Sequence, residues 1–225
     1  MSRYIRNMNA LSKTENDSLR GKKVCVIGCG GLGGYIIEML GRLGIGTIVA
    51  VDGDVFDESN LNRQILSEVL NIGKSKASQA FKRMEKVNPD ITIIPVSENF
   101  TEKNYKSILE GCHVVADALD SIDDRLFLQK CCEELNLPLI HGAIAGWYGQ
   151  VTTVLPGDKS LDKIYSAHKD TEIENPLGNP SFIPSIVASI EVAEIVKVLV
   201  GRGELLRKKL LFINLLNNSY EIVEL

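Results

Sequence analysis

Asn60, Arg63 and Gln64 follow Asp52 by 8, 11 and 12 residues. A short loop and one helical turn are enough to bring all three back over a site that Asp52 borders. Arg63, with Lys76 further along, suits a polyphosphate. Such cations neutralise charge on a transferring phosphoryl group and on the pyrophosphate that leaves. A nicotinamide dehydrogenase needs no such set. Asp54 belongs to the same cassette, which runs from Asp52 to Gln64. Asp120 is placed to end a fourth strand, where a carboxylate can hold Mg²⁺ between phosphate oxygens. Asp117, Asp123 and Asp124 are nearby alternatives. Alternation along the strand sets Asp117 on the face opposite Asp120, and Asp123 and Asp124 suit the cap of the following helix. Arg125 either positions Asp120 or lies at the surface.

Just upstream stands a glycine turn, Gly28-Cys29-Gly30-Gly31-Leu32-Gly33. A strand, this turn and a helix together aim backbone N–H groups and a helix N-terminus at one point, which attracts an anion. Gly28 is expected to allow the tight turn, Gly30 and Gly31 the close approach of a ligand, and Gly33 the packing of helix on strand. Asp52, ending the next strand, is placed to accept hydrogen bonds from ribose hydroxyls.

The elements that would carry these residues alternate. Lys23 to Ile27 and Thr47 to Val51 read as buried strands, with an amphipathic helix from Leu32 to Leu43 between them. Lys74 to Val87 reads as a helix stopped by Asn88-Pro89. Ile91 to Val96 is a strand that Pro95 assigns to a sheet edge. His113 to Leu119 and Pro138 to His141 are further strands around a helix from about Asp123 to Leu135. Gly149 to Leu155 alternates like a strand of a mixed sheet. Residues 156 to 180 are polar and poorly periodic, a long loop of the functional kind. A helix over Ile183 to Val200 and a hairpin around Asn217-Asn218 close the chain. The expected fold is α/β: a Rossmann-like, doubly wound and mainly parallel sheet with antiparallel C-terminal strands, formed by residues 1–225 as one domain.

Composition sets limits. A net charge of −4 over 225 residues gives no reason to expect nucleic acid or an acidic membrane as partner. No apolar run approaches a bilayer span, and the N-terminus has no apolar signal-peptide core, so the expected location is cytoplasmic. The five cysteines (Cys25, Cys29, Cys112, Cys131, Cys132) include no C-x-x-C pair, so no zinc is expected. Cys25 and Cys112 suit small apolar fillers. His141 and His168 fit a satisfied strand end and a loop surface, and Trp147 fits packing or a groove beside Gly146.

The blocks GCGGLGG, VDGDVFDESNLNRQ, GKSKA and DALDSIDDR, in this order, resemble the ThiF/MoeB/HesA family of ubiquitin-activating-like adenylyltransferases. The resemblance covers roughly residues 3 to 200. It implies ATP- and Mg²⁺-dependent adenylylation of the C-terminal glycine of a ubiquitin-like sulfur-carrier protein ending in Gly-Gly, by a homodimer. It implies that Asp52 holds ribose, that Asn60, Arg63, Gln64 and Lys76 contact the phosphates, and that Asp120 serves the metal. It also implies that Arg6 reaches into the partner subunit's site, although Asn7 stands where members often have Gln. The loop 156–180 would clamp the carrier's tail, and Gly142 to Gly146 would leave it a slender channel. Two departures stand out: the zinc-binding C-x-x-C pairs of many relatives are missing, and residues 142–225 contain no cysteine. The chemistry is therefore expected to stop at the acyl-adenylate, with Cys131 and Cys132 as remote substitutes for a sulfur step. The competing readings are an NAD-dependent oxidoreductase, a non-catalytic adaptor and a tRNA-modifying relative.

Overall fold

The computed structural model describes residues 2–166 and 177–225, so His168 and the middle of the expected clamp lie outside the described residues. The chain opens with a 3-10 turn, Ser2–Asn7, and α1, Lys13–Ser18, which a Ser12–Glu15 capping box starts. It continues through β1, Lys23–Ile27; α2, Gly31–Leu43; β2, Thr47–Val51; α3, Lys76–Val87; β3, Thr92–Val96; α4, Tyr105–Leu109; and β4, Val114–Asp117. The second half holds α5, Ile122–Glu134; β5, Leu139–Ala145; β6, Tyr148–Val154; α6, Ser160–Ile164; α7, Phe182–Val200; β7, Lys209–Asn214; and β8, Ser219–Glu224.

The eight strands make one sheet in the order β3-β2-β1-β4-β5-β6-β7-β8. Strands β1 to β5 run parallel and β6 to β8 antiparallel, as the sequence suggests. Pro95 sits in edge strand β3, where its missing N–H costs no ladder bond. Strand alternation splits the core in two. Val24 and Val26 of β1 point to α2, α3 and α7, while Cys25 and Ile27 point to the layer that includes Leu128 of α5 and Leu161 of α6. Burying each such Val, Leu or Ile contributes about 1.5–3 kcal/mol.

Several boundaries differ from expectation. The fourth strand ends at Asp117 rather than Leu119, because the Asp117 carboxylate accepts the Leu119 N–H at 3.0 Å and turns the chain. Asp120 therefore lies in the turn ahead of α5. The helix expected from Lys74 starts at Lys76, where Ser75 Oγ accepts the Ser78 N–H. Gly142 to Ala145 take regular strand structure. They extend β5, paired with β6 through Ala145↔Tyr148. Helices α1 and α4 are too short to leave a periodic pattern. The expected loop 156–180 contains α6. Among the described residues no helix is long and apolar enough to cross a membrane.

Candidate active site

A cleft of about 610 Å³ opens at the carboxyl ends of β1, β2 and β4. The sheet order reverses between β1 and β4, so this is the switch point at which open α/β sheets take ligands. Gly28, Gly30, Gly31, Asp52, Asp54, Arg63, Gln64, Lys76 and Asp120 all line it.

The glycine turn forms its floor. Gly28 has φ +101°, a conformation that favours glycine. A Cβ on Gly33 would lie 1.8 Å from the Gly28 carbonyl oxygen, so only glycine lets the first turn of α2 pack this closely on the strand end. Gly30 caps α2, whose first N–H groups have no acceptor within the helix. Asp52 ties the floor to the wall. Its carboxylate accepts the Cys29 N–H and the Asp54 N–H, each at 2.8 Å. Both oxygens keep lone pairs for a further donor.

The cations line the same cleft. Lys76 Nζ lies 3.0 Å from Asp54 Oδ2; its side chain is 10% exposed, whereas that of Asp54 is 72% exposed. Arg63 packs its methylenes against Gly31 and donates from Nη1 to Ser59 O and Asn62 Oδ1, which are both neutral. The Gln64 amide is buried beside Gly30, and its Oε1 has no partner among the described residues. Asn179 Oδ1, also in the lining, likewise has no partner among the described residues. A closed polar wall with unmet hydrogen-bonding capacity fits a polar ligand.

Not every expected residue faces the cleft. Asn60 is buried under it: its Oδ1 accepts the Asp57 N–H at 3.0 Å, and so it shapes the loop that presents Arg63. Gly33 acts through packing. Arg6 is exposed and sits beside Asn7, whose Nδ2 donates to Leu43 O at the end of α2 remote from the cleft. Thirteen helical residues span about 20 Å, so Arg6 does not reach the cleft of its own chain. Ser121, rather than Asp123 or Asp124, caps α5; Asp124 instead lines the cleft. Arg125 is buried rather than at the surface, and it still contributes to the cleft lining.

Glu98, Asn99 and Thr101, in the loop after β3, also line the cleft and were missed from sequence. A Cβ on Gly53 would lie 2.0 Å from Asn99 Oδ1, so Gly53 is where this loop meets the Asp52 turn. The available signal was general: a carboxyl-end site draws on the loop after every neighbouring strand.

All five cysteines are buried. Burial pushes the Cys131 thiol up to about 11 and raises that of Cys132 further. Neither supplies thiolate at neutral pH. Replacing Cys131 and Cys132 together with alanine is expected to change any activity of the cleft by less than about twofold, as a steady-state assay would show. A loss beyond tenfold in a folded variant would restore a sulfur role.

Comparison with known proteins gives the family. The ThiF family model matches residues 2–225, and the chain belongs to that family. It is 32% identical to the SAMP-activating enzyme E1 of Haloferax volcanii over 231 residues, covering 99% of this chain and 84% of that one. It is 31% identical to a probable molybdopterin-synthase adenylyltransferase of Porphyra purpurea, covering 91% of this chain but 55% of that longer protein. The crystal structure of E. coli MccB with ATP superposes with a TM-score of 0.81 at 21% identity, covering 99% of this chain and 70% of that one, and shares its fold.

Proposed function

We propose that this chain is an adenylyltransferase that uses ATP to activate the C-terminal glycine carboxylate of a small ubiquitin-like sulfur-carrier protein, releasing pyrophosphate. The observation that carries this reading is that Arg63 and Lys76 line one cleft together with the glycine turn that opens α2. The relatives named for activating SAMP and for adenylylation in molybdopterin synthesis support it. The pathway is sulfur transfer of the thiamine or molybdopterin type, the whole chain acts as one ATP-binding unit, and its location is the cytoplasm.

In this reading Asp52 orients the ribose, and the N–H groups of the glycine turn hold phosphate oxygens. Gln64 adds an amide contact and Asn60 keeps the Arg63 loop in shape. The carrier carboxylate is already ionised at pH 7 and needs no general base. Arg63 and Lys76 stabilise the charge that builds on the departing pyrophosphate. Asp120 and Asp124 fit Mg²⁺, which takes one or two carboxylates and fills its shell from phosphates and water. When bound, the ion adds positive charge next to the phosphates.

The active form is a homodimer. Leu61, Ile65, Val69, Leu70 and Ile72 leave a run of large apolar side chains exposed, up to 81% at Leu70. Burial against a second copy covers them. Arg6, too far from its own cleft, then serves the partner's.

The test is ATP–pyrophosphate exchange with carriers ending in Gly-Gly. Exchange is expected only with such a carrier present and is lost when its terminal glycine is amidated. Tight NAD binding without ATP binding would overturn the reading. So would ATP binding with no exchange across a panel of carriers, which favours an adaptor.

A further inference from the structure

Behind the cleft wall, buried polar groups close into a ring. Asp117 and His141 are register neighbours on β4 and β5, and both are fully buried. His141 Nδ1 lies 2.6 Å from Asp117 Oδ2. The other oxygen of Asp117 accepts the Leu119 N–H at 3.0 Å. The Leu119 carbonyl accepts Arg125 Nε at 3.1 Å and Nη2 at 2.7 Å. Arg125 Nη1 donates to Tyr165 Oη at 3.0 Å, and Tyr165 Oη lies 3.0 Å from His141 Nε2. Gln150 Nε2 also donates to Tyr165 Oη at 3.0 Å.

Donor counting assigns the protons. The Asp117 carboxylate oxygen can only accept from His141 Nδ1, which leaves Nε2 of the neutral ring to accept from Tyr165 Oη at 3.0 Å. That nitrogen is then the acceptor, and Nδ1 carries the imidazole proton and donates it to Asp117. Burial lowers the His141 pKa, against the pull of Asp117 and alongside the repulsion of Arg125, which keeps the ring neutral. Leu119 is thus held at both its N–H and its C=O. The next residue is Asp120, an exposed carboxylate on the cleft wall.

We propose that this ring positions the Asp120 carboxylate, with His141 and Tyr165 as positioning residues for metal-assisted nucleotide binding. Neither touches the ligand; each acts through Leu119. The inference rests on the reading of the cleft as an ATP and Mg²⁺ site. Tyr165 follows α6 directly, so the ring also joins the turn before α5 to the start of the segment beyond β6.

Two measurements on the full chain test it. Side-chain ¹⁵N NMR is expected to show His141 as the Nδ1–H tautomer, with Nε2 shifted by the Tyr165 hydrogen bond. In Tyr165→Phe that Nε2 resonance moves to the position of a free acceptor. Calorimetric titration of MgCl₂ at fixed ATP reads the consequence. Tyr165→Phe is expected to need about tenfold more Mg²⁺ for half-maximal ATP binding, the scale of one lost hydrogen bond to a charged group. ATP affinity without metal should change by less than about twofold, a split that general loosening of the fold would not give. If Tyr165→Phe does not fold, Gln150→Leu, which removes one donor from the same oxygen, is expected to shift the Mg²⁺ requirement the same way by a smaller factor. An Nε2–H tautomer in the wild type, or an unchanged Mg²⁺ requirement in a folded variant, overturns the ring's role alone. A wild type that binds no ATP at any Mg²⁺ concentration overturns the reading of the cleft, and the inference with it.

Discussion

Arg63→Ala and Lys76→Ala are each expected to lower ATP–pyrophosphate exchange by about 10²–10³-fold while the protein stays folded. The size follows from removing one preorganised donor aimed at developing charge. Stability should hardly move, and the geometry says why. The partner of Lys76 is Asp54, whose side chain is 72% exposed, so losing the lysine leaves no stranded charge in the interior. An ion pair of that exposure contributes about 1 kcal/mol or less. Arg63 donates to a carbonyl and an amide at the rim, and neither becomes a buried charge when the guanidinium is gone. The loss should fall mainly on kcat, because pyrophosphate carries its extra charge only as the bond breaks. The double variant should lose much less than the product of the single losses, since both cations serve one leaving group. Rates, KM for ATP and thermal unfolding of the three variants check this. A purely raised KM would mean that the two residues bind the ground state and leave the chemistry to other groups.

How much of this was legible in the sequence depends on whether a residue's role is local. Gly28, Gly30, Gly31 and Gly33 were readable because a turn between a strand and a helix dictates glycine through backbone sterics. Arg63, Gln64 and Lys76 were readable because spacing along a loop and the first turn of α3 returns them to one place. Asn60 is expected at the ligand, whereas its amide oxygen closes its own turn, and the chain does not show which amide of a polar cassette does so. The fourth strand was drawn two residues too long because Ala118 and Leu119 are apolar. The bond from Leu119 N–H to Asp117 that stops it depends on a buried carboxylate held by a histidine from the next strand. His141 was read as a satisfied strand-end residue, and it is satisfied. Its partners Asp117, Tyr165 and Gln150 come from three other segments, and no periodicity announces them. The loop after β3 was missed for the same reason: Asn99 meets Gly53 only once β2 and β3 pair.

Glu191→Gln is expected to be more stable than the wild type at pH 8 and nearly equal to it at pH 4. Glu191 is fully buried in α7 against β5, so close that a Cβ on Gly142 would lie 2.4 Å from its Oε2. Neither carboxylate oxygen has a partner among the described residues. Burial first, and the nearby Asp117 second, raise its pKa well above the carboxylate range, with Arg125 opposing. The folded chain therefore keeps a proton that the unfolded chain releases above about pH 4.3. Stability is fully present below that pH and is lost as the pH rises, by up to about 1.4 kcal/mol per unit, until the folded carboxyl itself ionises. Glutamine keeps the shape and cannot ionise, so its gain should grow with pH over that range. His141 works on the other side: its lowered pKa makes the fold lose stability as the pH falls below about 6.5. Between about pH 4.3 and 6.5 the two act in opposite directions. Urea unfolding at several pH values should show the advantage of Glu191→Gln over the wild type growing from about pH 4.3 upward and flattening the basic limb, while the loss caused by His141 stays in both proteins. If the basic limb persists unchanged in the variant, Glu191 is ionised in the folded protein, and a cation or ordered water must then meet its two oxygens.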